Sequence, residues 1–210
     1  MGRLWISLLA TTVVIAGPAQ AQQFAFGARG GLTLSQSAVE GDLGDVGSKA
    51  GYHIGAVATV GVSSWLGVQT ELTYSGKGFE ADAIGGELDL TYVEIPVLTR
   101  LTLPSKLSPH LLAGVVLSLE SGCRYSSDTI DEVDCESGGS SVPRPKSADF
   151  GLEVGGGVAF DMGPGDLTLD VLYNHGLTDL SATGGLLDKF KNRTLYLSVG
   201  YLYPLGTISY

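Results

Sequence analysis

Past residue 21 the sequence has no apolar run of the length a membrane helix needs, although its mean hydropathy is +0.23. A spanning helix takes about 20 such residues. Positive charge is also scarce, with 12 Lys and Arg against 22 Asp and Glu and a net charge of −10. An acidic chain without a basic cluster excludes nucleic acid as a partner. It argues equally against docking on anionic head groups through side-chain charge. Cysteine occurs twice, at Cys123 and Cys135, with no histidine nearby, which excludes a four-ligand zinc site. The three histidines, His53, His110 and His175, stand outside any H-E-x-x-H run, and no G-x-S-x-G elbow exists. None has Ser two residues on, so a strand-borne His-x-Ser hydrolase pair is missing. Gly155-Gly156-Gly157 lies mid-segment and is no phosphate loop.

Glycine is abundant instead, at 31 residues, about twice the usual share. Each glycine inside a helix costs about 1 kcal/mol against alanine, so long helices are disfavoured. The first 21 residues are a unit of their own. Arg3 supplies the positive end, Leu4 to Ala16 an apolar run, Gly17-Pro18 a break, and Ala19-Gln20-Ala21 a cleavage site. This is a secretory signal pattern, too short for an anchor helix. We expect residues 1–21 to be a signal peptide and 22–210 one domain. A hydrophobic, helix-poor, exported chain points to the outer membrane, where a closed barrel pairs every backbone group internally.

The remaining chain alternates with period two. Phe26, Ala28, Leu32 and Leu34 oppose Gly27, Arg29, Gly31 and Thr33. Tyr52, Ile54, Ala56, Ala58 and Val60 oppose Gly51, His53, Gly55 and Thr59. Leu66, Val68, Leu72 and Tyr74 oppose Gln69, Glu71, Thr73, Ser75 and Lys77. Segments 109–120, 149–161, 166–177 and 192–203 repeat the pattern. Segment 87–103 predicts a phase change. Leu88, Leu90 and Tyr92 share one parity, Ile95, Val97, Leu101 and Leu103 the other. A bulge near Pro96 would join the halves. The connections alternate: 36–49, 79–86, 121–147 and 178–190 are long and polar, whereas 63–65, 104–108 and 162–165 are tight. Short turns at one end and long loops at the other are the layout of an outer-membrane barrel. Aromatics near segment ends, Tyr52, Trp65, Tyr74, Tyr92, Tyr173 and Tyr203 among them, suit interface girdles. A soluble lipocalin-like barrel is the competing architecture. It would need apolar residues inside, and the face opposite the apolar one is crowded with glycine and a few charges.

Several stretches carry a resemblance. They are Gly27-Ala-Arg-Gly-Gly-Leu-Thr-Leu-Ser35, Gly51-Tyr-His-Ile-Gly-Ala56, Val68-Gln-Thr-Glu-Leu-Thr-Tyr-Ser-Gly-Lys-Gly78, Tyr92-Val-Glu-Ile-Pro-Val-Leu98, Phe150-Gly-Leu-Glu-Val-Gly-Gly-Gly157, Tyr173-Asn-His-Gly-Leu-Thr178 and Lys191-Asn-Arg193. In this order the chain resembles the outer-membrane β-barrel-domain family, also labelled porin-family or PorT-like. The resemblance implies an all-β fold, an eight-stranded antiparallel up-and-down transmembrane barrel with four long external loops. It implies no single activity. The loop 121–147, with its cysteines, departs from the family pattern.

Three groups of residues could carry chemistry. Cys123 and Cys135 share one external loop of an exported chain, so a disulfide is expected. Asp128, Asp131, Glu132, Asp134 and Glu136 crowd the same loop. Their spacing fits no EF-hand, and a solvated acidic loop is favoured over a calcium site. Arg29, Glu71, Glu94, Arg100, Glu153 and Asp170 fall on inward faces. They form either an ion path or a plug of paired charges. Eight strands leave an interior that side chains just fill, which favours a plug centred on Arg29 with Glu71 or Glu94. The reading is a monomeric, non-enzymatic outer-membrane barrel with a structural or surface-interaction role. Its partners would be outer-membrane lipid and an extracellular ligand or envelope protein met through 121–147, without cofactor or metal. The rivals are a narrow porin-like channel, a barrel-borne lipid or protein hydrolase, and a soluble periplasmic barrel.

Overall fold

The computed structural model describes residues 22–40, 46–81, 86–127, 130–135, 147–178 and 189–208. The leader pattern at 1–21 lies outside them. Nine strands follow in order: β1 Gln22–Glu40, β2 Val46–Gly61, β3 Leu66–Ala81, β4 Gly86–Thr102, β5 Pro109–Ser127, β6 Ile130–Asp134, β7 Ala148–Met162, β8 Gly165–Gly176 and β9 Lys189–Ile208. Each barrel strand pairs antiparallel with its two neighbours. β9 returns to β1, and β4–β5 completes the ring, so the barrel has eight strands. Among the described residues β6 is a short ribbon that pairs with β5 alone. No helix among the described residues is long and apolar enough to cross a membrane, and the strands do the crossing.

The polarity is inverted relative to a soluble protein. Ile54 and Leu111 are 62% and 64% exposed, whereas Thr33 and Ser75 are wholly buried. Along β8 the pattern is strict, with Thr168, Asp170, Leu172 and Asn174 inside and Leu169, Val171 and Tyr173 outside. A continuous apolar exterior around a polar interior is stable only in hydrocarbon, and it rules out the lipocalin-like alternative.

Local chemistry sets the ends. At the β7–β8 hairpin Gly163 takes φ of +73° and Pro164 follows, the order that a tight two-residue hairpin turn requires. At 62–65, Ser63 Oγ accepts the amide of Leu66 at 3.1 Å. The opposite connections are shorter than the sequence suggests. β1 runs to Glu40 and β2 starts at Val46, and β3 and β4 leave only 82–85 between them. The ladder continues past the apolar band because backbone pairing needs no hydrophobic side chains.

The predicted phase change in segment 87–103 is overturned. β4 keeps one parity, with Leu88, Leu90, Tyr92, Glu94, Pro96 and Leu98 all buried inside. Tyr92 is therefore no girdle residue. The apolar half was misleading because those positions line the inside of the barrel above its charged section. The bulge sits on β5, where Ser121 is the extra residue between Thr91↔Gly122 and Tyr92↔Glu120. Pro96 does interrupt a ladder. The β3–β4 register passes from Thr70↔Val97 to Thr73↔Glu94, with no partner between, and Thr70 Oγ1 donates to Pro96 O at 3.0 Å.

Leu117 lies outside, in the middle of β5. Leu117→Arg should lower unfolding stability by about 2–4 kcal/mol if it sits near the midplane. Leu107→Arg, on the tight turn, should stay within about 0.5 kcal/mol. Denaturant unfolding of the refolded barrel separates them, and equal midpoints would refute the placement.

Candidate functional site

The inward side chains form layers along the barrel axis, and β4 sets their order. From the short-turn end it presents Arg100, Leu98, Glu94, Tyr92, Leu90 and Leu88. At that end an open vestibule of about 430 Å³ narrows onto Arg100. Asp161 and Asp166 face each other there across β7–β8.

The first closed layer is a relay of donors. Arg100 Nη1 donates to Gln69 Oε1 at 2.8 Å, and Nη2 lies 3.0 Å from His110 Nδ1. His110 Nε2 lies 2.6 Å from Asp170 Oδ1. Since Arg100 can only donate, Nδ1 accepts and Nε2 carries the proton to Asp170, the tautomer this network assigns. Gly157 makes room: a Cβ there would stand 2.2 Å from Asp170 Oδ1. Arg29 occupies the next layer. Its Nη1 donates to Glu71 Oε1 at 2.5 Å, its Nη2 to Ser198 Oγ at 2.9 Å, and Asp170 Oδ2 lies 3.7 Å away. Gln69 Nε2 also donates to Glu71, at 2.7 Å.

Glu94 belongs to a different cation. Lys77 Nζ donates to it at 2.6 Å, and Ser75, Ser118 and the Tyr196 hydroxyl donate at 2.7 Å each. Four donors on one carboxylate mark an ionised group held in place. Lys77 also stands over the rings of Tyr92 and Tyr196, at 5.2 and 5.7 Å. Glu153 has no ion-pair partner among the described residues, and Asn174 Nδ2 reaches it at 3.5 Å. A void of about 10 Å³ beside Arg29, His53, Glu94 and Glu153 is the size of one water. Beyond Tyr92 the interior turns apolar, with Leu90 and Leu88 almost wholly buried.

All six charged residues singled out in the sequence point inward. The structure brings Arg29, Glu71 and Asp170 together and links Arg100 to Asp170 through His110. It separates Glu94 from Arg29, correcting the alternative pairing. Lys77 and His110 were missed as partners. Lys77 carried a usable signal, since it shares the parity of Glu71. His110 carried the same parity signal, opposite Leu111 and Leu117, but its link to Asp170 reaches past β7 to a strand remote in sequence, which parity does not show.

Cys123 and Cys135 form a disulfide that ties β6 to β5. Cys135 N donates to Cys123 O at 3.1 Å. Asp134 is exposed on this ribbon. The side chains of Asp128, Asp131, Glu132 and Glu136 lie outside the described residues. Among the described residues no three His, Cys, Asp or Glu side chains gather as metal ligands.

The sequence matches the outer membrane protein beta-barrel domain family over residues 19–182. Among solved structures, the outer membrane protein OprG from Pseudomonas aeruginosa is 12% identical, with 87% of this chain and 97% of that one covered and a TM-score of 0.50. Neisserial surface protein A is 16% identical over 85% and 97%, with a TM-score of 0.49. Ail of Yersinia pestis, solved with the heparin analogue sucrose octasulfate, is 17% identical over 86% and 99%, with a TM-score of 0.47. No curated protein matches significantly.

Two substitutions test the charge layers. Lys77→Met leaves Glu94 buried without its cation, and should cost about 3–5 kcal/mol. Glu153→Gln removes a carboxylate that has no cation, and should leave stability unchanged or raised. Urea midpoints of refolded barrels decide, and a Lys77→Met midpoint equal to wild type would show the lumen bathed in water.

Proposed function

The chain belongs to the outer membrane protein beta-barrel domain family and resides in the bacterial outer membrane, and on that premise we propose that it is a sealed anchor working at the cell surface. The observation that carries this is the filled lumen. From Arg100 to Leu88 the described interior is occupied by hydrogen-bonded side chains and packed apolar ones, and the voids beside Glu153 and beside Gln69 are each about 10 Å³, the size of one water. Eight-stranded barrels leave just such an interior, whereas wide pores need sixteen strands or more. Solute passage is therefore not the task, and the parts left to act are the external ends.

The strongest candidate there is the β5–β6 ribbon with the rest of segment 121–147. Its disulfide limits the freedom of a long loop, which lowers the ordering cost when a partner binds. Residues 1–21 act as the export signal in this reading, and the barrel inserts as a monomer. A catalytic role finds no support in the lumen. His53 Nε2 lies 2.9 Å from Ser198 Oγ, a nucleophile-base distance, but both residues are sealed inside and Ser198 already accepts a bond from Arg29.

Planar-bilayer recording checks the seal: wild-type barrels should give no stable conductance above baseline. Steady single-channel steps would establish the narrow-channel reading instead. The ribbon is checked on intact cells. Thiol reagents should label Cys123 and Cys135 only after reduction, and an epitope inserted within 136–146 should bind antibody without permeabilisation. An epitope at Lys106 should need it. Labelling without reductant, or the reverse pattern of epitope access, would refute the assignment.

A further inference from the structure

Net acidity conceals an uneven placement of positive charge. Arg29, Lys77 and Arg100 are spent inside the barrel. Lys49 reaches across Gly78 to Glu87 and Asp89, and Lys106 lies on a short turn. Lys191 and Arg193 stand together on β9. They flank Asn192, which is buried in the lumen with Thr194, so both face outward. They are the first outward positions beyond the apolar run of Leu195, Leu197 and Val199, on the external side. Among the described residues neither makes an ion pair. His175 of β8 stands opposite Arg193 in register, with its ring 6.4 Å from that of Tyr173. Beyond the apolar runs of other strands the outward residues include uncharged or acidic ones, Gln36 on β1, Ser48 on β2, Asp89 on β4 and Ser121 on β5, and the exposed Arg124 farther along β5, opposite Asp134 in register.

We infer that Lys191, Arg193 and His175 form a facet that binds the phosphorylated headgroup of an outer-leaflet lipid. Positions i and i+2 on one face of a strand lie about 6.6–7 Å apart, so the two cations can clasp one phosphate group. The guanidinium of Arg193 offers a planar fork suited to phosphate oxygens, and Lys191 adds a mobile point charge. The imidazole of His175 supplies a further donor beneath them. Position favours a lipid over an acidic protein partner. The facet continues directly into the apolar band of Leu195, Leu197 and Tyr173, where acyl chains already lie, so one molecule satisfies both surfaces. The excess acid elsewhere on the chain repels phosphate and directs such a lipid to this side. This local patch revises the expectation, drawn from net charge, that head groups are not bound through side-chain charge.

The test uses the full barrel purified from outer membranes and placed in phosphatidylcholine nanodiscs. One set is doped with bisphosphorylated lipid A, the other with the same lipid A stripped of its phosphates. Mass spectrometry counts the lipid retained on the protein after mild detergent extraction. The wild type should retain the phosphorylated form about tenfold over the stripped one, with the preference shrinking as salt rises. The double variant Lys191→Gln with Arg193→Gln should lose it, and Lys106→Gln should keep it. Equal retention of both lipids by the wild type would overturn the proposal. So would a double variant, shown folded by its heat-shifted gel mobility, that keeps the preference. The first comparison uses the wild type alone, so it decides even if the variant fails to fold. Retention of an acidic protein in place of lipid would also overturn it.

Discussion

Closure of the backbone ladder is the constraint on which the rest depends. In hydrocarbon an unpaired peptide group has no water to turn to, and each one costs several kcal/mol. The β1–β9 seam, from Gln22↔Ile208 to Glu40↔Lys189, and the β4–β5 seam, from Gly86↔Ser127 to Thr102↔His110, leave no free edge at membrane depth. Between them the β3–β4 ladder is interrupted at Pro96, which has no amide and whose carbonyl accepts from the Thr70 hydroxyl, and the β2–β3 ladder shifts register between Ser48 and His53. Once eight strands close, the radius is set, and every inward residue must fit the volume that remains.

That volume explains the interior. Charges there are too confined for water to solvate them, so they stand in sets, each cation shared among several acceptors. Arg29 serves Glu71, Asp170 and Ser198, while Lys77 serves Glu94 under two aromatic rings. Such networks are costly when half made and rigid when complete. They add specificity as well, since a strand slipped by one residue would drive Glu71 and Glu94 into lipid. Leu88, Leu90 and Tyr92 are buried in the lumen toward the external side, with Asn192 donating to the Tyr92 hydroxyl, and the vestibule at the other end reaches Arg100.

In the proposed reading a barrel filled in this way contributes position rather than passage. Its strands run on past the apolar band, carry the disulfide-closed ribbon on β5, and place Lys191 and Arg193 just beyond that band on β9. The external ribbon and the cationic facet are then separate uses of one rigid wall. In the proposed reading the ribbon meets whatever lies outside the cell, and the facet meets the lipid that surrounds the barrel.

The alternation of Tyr52, Ile54, Ala56 and Ala58 with His53, Gly55 and Thr59 made strands and two-faced burial legible in the sequence, because a strand's side-chain period is local. Loop lengths of two alternating kinds gave the up-and-down order, and the inward parity of Arg29, Glu71, Glu94, Arg100, Glu153 and Asp170 could be read residue by residue. What parity could not give is which face of Leu88, Leu90 and Tyr92 meets lipid, since an apolar run looks the same inside a cap and outside a barrel. Nor could it pair Lys77 with Glu94, join His110 to Asp170, or move the bulge to Ser121. Those depend on register and shear around a closed ring, which bring neighbouring-strand residues such as Lys77 and Glu94 and residues 60 apart in sequence such as His110 and Asp170 to one height. Periodicity along a strand is a property of the sequence by itself, and the depth at which two strands meet is a property only the closed barrel decides.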